Sequence, residues 1–326
     1  MAKKAYCFIF PAIATAAVCI ALFFPILLLP VALACGIFAA IASYIDSTGT
    51  WASVIALLAA TGIGFVLIND IFLAVILTFP GFITGIIIGC ALRHGNRLKD
   101  IIITTLAVFS VVVFCVTVAF TYTTTGSFDI MSAVKPLFES VKEPLNQAVE
   151  IYMTGTGVKD LTDGKISQMT QAIYNTFVSS LPAILVILVL AVTVAVFWIT
   201  RSVLSNKFGA DLSYLGKFAD THLTRPFFLI YLVVFIGSVV LPTGLAATAA
   251  INFYLIGYFL FAYTGLAFMA FFLNRRKRPF PTTKSLITFF IIFSIICPLG
   301  ISILSLIGLI ADSALNLRKK MTNREE

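Results

Sequence analysis

The chain is a succession of apolar runs, each near the length that crosses a bilayer, separated by short polar breaks. A membrane-spanning helix needs about 20 mostly apolar residues. Runs of that kind occupy residues 5–24, 26–44, 51–68, 71–92, 101–122, 177–200, 226–241, 247–273 and 286–310. Chain segments inside a bilayer must satisfy their own backbone hydrogen bonds, so this pattern restricts the fold to helices. Composition agrees. Sixty per cent of the 326 residues are apolar and only 11% are charged, which excludes both an ordinary soluble globule and a disordered chain. The expected fold class is an all-α, polytopic transmembrane helical bundle of 9–10 spans.

The charges give the orientation. The net charge of +8 comes from 22 Lys and Arg against 14 Asp and Glu. With the N-terminus placed in the cytoplasm, 18 of those 22 basic residues fall on the cytoplasmic side, in both termini and in the loops after the second, fourth, sixth and eighth runs. That obeys the positive-inside rule and makes a nucleic-acid footprint the poorer reading of the charge. Lys3 and Lys4 ahead of an apolar run look like a signal peptide. Another run follows at once, so an uncleaved first span is expected. The localisation expected is the bacterial inner membrane, multi-pass.

Residues 123–176 break the pattern: 54 residues with four lysines and six acids. Val134, Leu137, Phe138, Val141, Leu145 and Val149 recur at helical spacing, as do Ile166, Met169, Ile173 and Phe177. Two amphipathic helices in one long outer loop are expected, lying on the membrane surface or capping the bundle, with Pro136 and Pro144 dividing the first. The chain then reads as three parts: a five-span bundle at 1–122, the outer loop at 123–176, and a four- or five-span bundle at 177–326. The last run carries Cys297 and Pro298 at its centre, and is expected either to cross once as a long helix or, the favoured reading, to form a bent hairpin that returns the basic tail to the cytoplasm.

Chemistry-bearing residues are scarce. The six cysteines all lie in or beside apolar runs, with no C-x-x-C pair, and read as buried reduced thiols. His94 and His222 are the only histidines, both in basic loops. No metal site, cofactor or catalytic set is expected, and no enzyme activity. Ionisable residues are missing from mid-span positions, where ion-coupled transporters keep them. Asp46, Asp70 and Asp312 sit at span ends and read as boundary or helix-cap residues. Asn252 is the clearest polar side chain inside a span. It reads as an interhelical hydrogen-bonding group, or, with Tyr254, Tyr258 and Tyr263, as one wall of a ligand site. Gly81, Gly85 and Gly89 form a stripe of small residues for close helix packing, and Gly36 and Ala40 repeat it in the second run. The basic group at 275–278 suits topogenesis first and anionic lipid heads second.

A resemblance follows from an ordered set of motifs: Phe79-Pro80-Gly81-Phe82, Gly85, Gly89 and Leu92-Arg93-His94-Gly95; Leu181-Pro182-Ala183, Arg201 and Phe208-Gly209; Asn252, Gly265-Leu266-Ala267 and the basic stretch to Pro279; and Gly308 to Asp312 with Asn316-Leu317-Arg318-Lys319. In these the chain resembles the YybS-like family of uncharacterised bacterial membrane proteins, which carries no established activity with it. Residues 5–122, with Pro30 ahead of small residues at 32–43, are similar to the substrate-binding S components of energy-coupling-factor vitamin transporters. Two functions are therefore expected from this reading. One is a non-catalytic membrane protein that organises a membrane-protein partner. The other is a small-molecule binding or transport subunit. The bilayer is the surrounding medium in both.

Overall fold

A computed structural model of the chain describes residues 2–23, 28–69, 71–126, 130–155, 163–242, 244–275 and 298–322. Asp70, Asp160, Cys297, the basic residues 276–278 and the first half of the last apolar run lie outside them, so the single crossing or hairpin expected there does too.

Among the described residues every regular element is a helix: α1 (Ala2–Phe23), α2 (Leu28–Ile45), α3 (Ser47–Ile68), α4 (Ile71–Arg93), α5 (Leu98–Thr125), α6 (Ile130–Gly155), α7 (Asp163–Phe208), α8 (Arg225–Val240), α9 (Leu245–Arg275), α10 (Pro298–Leu306) and α11 (Leu317–Thr322). Two short 3₁₀ turns precede α8, and a π-helical stretch at Ile307–Ala314 follows α10. The protein is an all-α membrane protein. Three helices are long and apolar enough to cross a bilayer, or four if the bent pair Ser213–Asp220 and Arg225–Val240 forms one span. Five further apolar segments, in α1, α2, α4, α5 and α10 with its π-helical continuation, are shorter over their described residues.

The helix ends follow from local chemistry. Asp46 caps α3, its carboxylate accepting the Ser47 N–H at 2.7 Å, as expected of an acid at a span end. Asn69 closes the same helix in the left-handed region at φ 57°. Gly209, at φ 64°, follows the end of α7, a conformation that costs glycine nothing.

The segment at 123–176 differs from expectation in its helix boundaries. Pro136 and Pro144 both lie inside the single helix α6, Ile130–Gly155. The second amphipathic stretch is the first part of α7, continuous with the apolar span after it. At 1.5 Å per residue the 46 residues of α7 reach about 69 Å, against a hydrocarbon core of about 30 Å. Proline removes one ladder bond without ending a helix that neighbouring groups support. The Thr170 hydroxyl on α7 donates to the Asn146 amide oxygen of α6 at 2.7 Å.

The chain folds as two compact units. The first comprises Met1–Tyr174 and Leu188–Leu215, the second Asn175–Ile187 and Gly216–Glu326. In the first unit α2 and α4 pack backbone to backbone. A Cβ on Gly81, Gly85 or Gly89 would collide with the carbonyl of Ala32, Gly36 or Ala40 in turn. Polar bonds join the neighbouring helices. The Thr61 and Thr78 hydroxyls meet at 2.8 Å between α3 and α4. The Thr15 hydroxyl of α1 donates to the Ala56 carbonyl of α3 at 3.3 Å. Arg93 donates to the Ser43 carbonyl at 3.1 Å, covering one of the unpaired carbonyls at the end of α2. On α3, Trp51, Ile55, Leu58 and Val66 are exposed. Their spacing puts them on one helix face, as a lipid-facing surface requires.

Candidate functional site

Polar groups of the second unit gather along α9, because this helix meets three others. Near its start stands Asn252. Its target is Pro182 on α7, which has no N–H and loosens the hydrogen-bond ladder around it. The Ala183 N–H and the Ser179 carbonyl are partners in an unbroken helix. Here both reach Asn252: Ala183 donates to its amide oxygen at 2.8 Å, and its amide nitrogen donates to Ser179 at 2.6 Å. The same nitrogen donates to the Thr248 carbonyl at 2.8 Å. Both amide protons and the amide oxygen are thereby engaged with protein.

One turn further along, aromatic rings and hydroxyls take over. Tyr254 stacks on Tyr231 of α8 with centroids 5.7 Å apart, and lies 6.2 Å from Tyr258. The Tyr258 hydroxyl meets the Ser302 hydroxyl of α10 at 2.6 Å. Gly257 makes this possible, since a side chain there would strike the Tyr231 ring. Tyr263 faces elsewhere, edge-on to Phe218 at 5.5 Å. The structure therefore gathers Tyr254 and Tyr258 with Tyr231 and Ser302, while Asn252 joins α7 and Tyr263 joins the loop before α8.

Beyond this α9 and α10 touch. A Cβ on Gly265 would strike the Leu304 carbonyl, and one on Gly308 the Phe261 carbonyl. The contact ends in a buried ion pair. Asp312, 4% exposed, is held by the Nε and Nη2 groups of Arg318 at 2.9 and 2.8 Å. Arg318 also donates to the carbonyls of Ala219 and Thr221, and its guanidinium carbon lies 5.1 Å from the Phe271 ring centre. Asp312 is thus an ion-pair partner within a π-helical turn, beyond the boundary role expected from its position.

Sequence reasoning missed Tyr231, Ser302 and the Asp312–Arg318 pair. The pair had one legible signal: an acid six residues before the first base of a basic tail. Arg318 was absorbed into the charge count that orients the chain. Tyr231 and Ser302 carried none, since their importance comes from partners distant in sequence. Among the described residues no three His, Cys, Asp or Glu side chains gather as a metal site would require.

A family model described as "Predicted membrane protein (DUF2232)" matches residues 12–312. No curated protein and no solved structure matches the chain.

Proposed function

The chain belongs to the DUF2232 family of predicted membrane proteins, and from that premise we propose that it is a non-catalytic organiser of a membrane-protein partner. The observation that carries this is Asn252, the most conspicuous polar side chain in the spans, whose amide groups are engaged within the chain, the oxygen and one donation with α7 and a second donation with the Thr248 carbonyl of its own helix. Gly81, Gly85 and Gly89 belong to the same reading as packing residues that make a rigid first unit. The test is reciprocal affinity purification in a mild detergent. One membrane protein recovered with either partner as bait supports the proposal, and the lack of any reproducible partner defeats it.

A second reading has its own observation. The Tyr231–Tyr254 ring stack and the Tyr258–Ser302 hydroxyl bond lie on neighbouring turns of α9, and aromatic faces with a hydroxyl pair on an apolar wall suit a small ligand. In this reading the protein is a binding or transport subunit, with Asn252, Tyr254, Tyr258 and Tyr263 as ligand residues. The likeness of residues 5–122 to energy-coupling-factor S components, and the YybS-like motifs, belong here as proposals too. A thermal-shift screen combined with mass spectrometry of the purified protein tests it: a bound small molecule supports it, and an empty protein with no stabilising compound removes it.

The placement proposed is the bacterial inner membrane with the N-terminus in the cytoplasm, nine or ten crossings and the three-part division at 122 and 176. Reporter fusions test it. A phosphatase fused at Gly155 should be active outside the membrane and one fused at Gly95 inactive; the reverse pattern would invert the topology.

A further inference from the structure

Arg201 and Arg318 are the same chemical group in similar surroundings, and among the described residues only Arg318 has a carboxylate partner. Arg318 has a carboxylate, two carbonyls and aromatic faces. Arg201, near the end of α7, has its guanidinium carbon 5.0 Å over the Trp198 ring and one long donation, at 3.5 Å, to the Leu212 carbonyl. Its Nη1 is buried and makes no hydrogen bond. Neither the Lys142–Glu139 nor the Asp312–Arg318 ion pair involves it. A half-buried guanidinium without an anion is costly, because desolvation of the charge is not offset. Each unsatisfied buried donor calls for an explanation such as an ion.

The neighbourhood supplies the rest of a site. Arg201 lies seven residues before Phe208, the last residue of α7, or about 10 Å of helix. The headgroup zone on each side of a bilayer's hydrocarbon core is about 5–8 Å deep, so a residue this close to the helix end is within reach of headgroups wherever that end leaves the core. The ends of α2 and α4 lie at the same end of the unit, where Arg93 covers the Ser43 carbonyl and the Tyr214 hydroxyl donates to the Leu92 carbonyl at 3.1 Å. Trp198 and Tyr214 are aromatics of the kind that settle at membrane interfaces. Three hydroxyls of this unit, on Ser43, Thr84 and Thr200, are fully buried and also lack a partner. Thr200 is the residue next to Arg201 on the chain.

We propose that Arg201 binds the phosphate of an anionic lipid headgroup at this end of the first unit. The guanidinium fork matches two phosphate oxygens, and the Trp198 face leaves its edge for the ligand. Arg93 adds positive charge nearby. A zwitterionic lipid is the poorer ligand, since its tethered cation competes with the arginine for the same phosphate.

Native mass spectrometry of the full-length protein, exchanged into detergent with phosphatidylglycerol or phosphatidylcholine, tests the assignment. The wild type should retain phosphatidylglycerol and lose phosphatidylcholine. Arg201→Gln should lower phosphatidylglycerol retention about tenfold, the effect of losing one strong charged contact. Arg201→Lys keeps the charge without the fork and should fall between; it also serves if the glutamine variant does not fold. Arg97→Gln removes an exposed cation near the same end and should leave retention unchanged. Equal retention by wild type and both Arg201 variants would overturn the proposal, as would an equal loss in Arg97→Gln. Inorganic phosphate is the third arm, read by thermal shift. If it raises the melting temperature of the wild type and phosphatidylglycerol does not, the site takes a free phosphate and the lipid assignment fails.

Discussion

At Asn252 a single amide repairs a helix that proline interrupts, and at Arg318 a single guanidinium fixes a loop, a π-helical turn and a helix end together. Both are exposed to the same penalty if one partner goes. Replacing Asn252 by leucine leaves the Ser179 carbonyl and the Ala183 N–H unpaired, and should cost about 2 kcal/mol, read as a fall in melting temperature in detergent. Asp312→Asn leaves the Arg318 charge buried without its partner, and should cost about 3–5 kcal/mol. Changing Asp312 and Arg318 together to apolar residues should recover much of that loss, and a double variant as unstable as the worse single one would contradict the account. Asp46 carries a pH signature. The Ser47 backbone N–H, then its hydroxyl, hold the Asp46 carboxyl below the usual carboxylate value. A lowered folded-state value means that the stabilisation is present above the unfolded carboxylate value, about 4, and is lost as pH falls through the folded one. The stability gap between wild type and Asp46→Ala should therefore be constant near neutrality and close in acid. A gap that persists at low pH would show that the hydroxyl contacts of Ser47 and Thr48, and not the charge, make the cap.

At the scale of the element, the small residues set which helices touch. Gly85→Ala should destabilise by about 1–3 kcal/mol, because its Cβ has no room against the Gly36 carbonyl of α2. Gly62→Ala on α3 is the control, since nothing lies within 4 Å of that Cβ; it should be neutral or gain up to about 1 kcal/mol of helix propensity. Thermal melts of the two variants side by side decide the matter. Much at this scale was legible in the sequence. The run at 71–92 becomes Ile71–Arg93 and the run at 226–241 becomes Arg225–Val240, because a long apolar stretch in lipid has one backbone solution. What misled was proline. Pro136 and Pro144 look like helix breaks, yet both lie within one continuous helix, as Pro182 does within its span. For Pro182 the reason is Asn252, 70 positions away in the chain, and no local pattern announces a partner at that separation.

At the scale of the whole molecule, composition named the class, a bulk property that needs no contact to be read, and charge asymmetry supplies the proposed orientation in the same way. The site was harder. Asn252, Tyr254 and Tyr258 stood out as polar groups in an apolar span, but their partners Ser179, Tyr231 and Ser302 are ordinary residues until the fold brings them close. The central claim is that the polar groups within the spans hold the protein together, and that its function lies in what it gathers in the membrane. Reciprocal affinity purification of the full-length protein from gently solubilised membranes tests this most directly. The account predicts one membrane protein recovered in both directions at constant ratio, with no stoichiometric small molecule. The absence of any reproducible partner, together with a small molecule bound one to one, would contradict it.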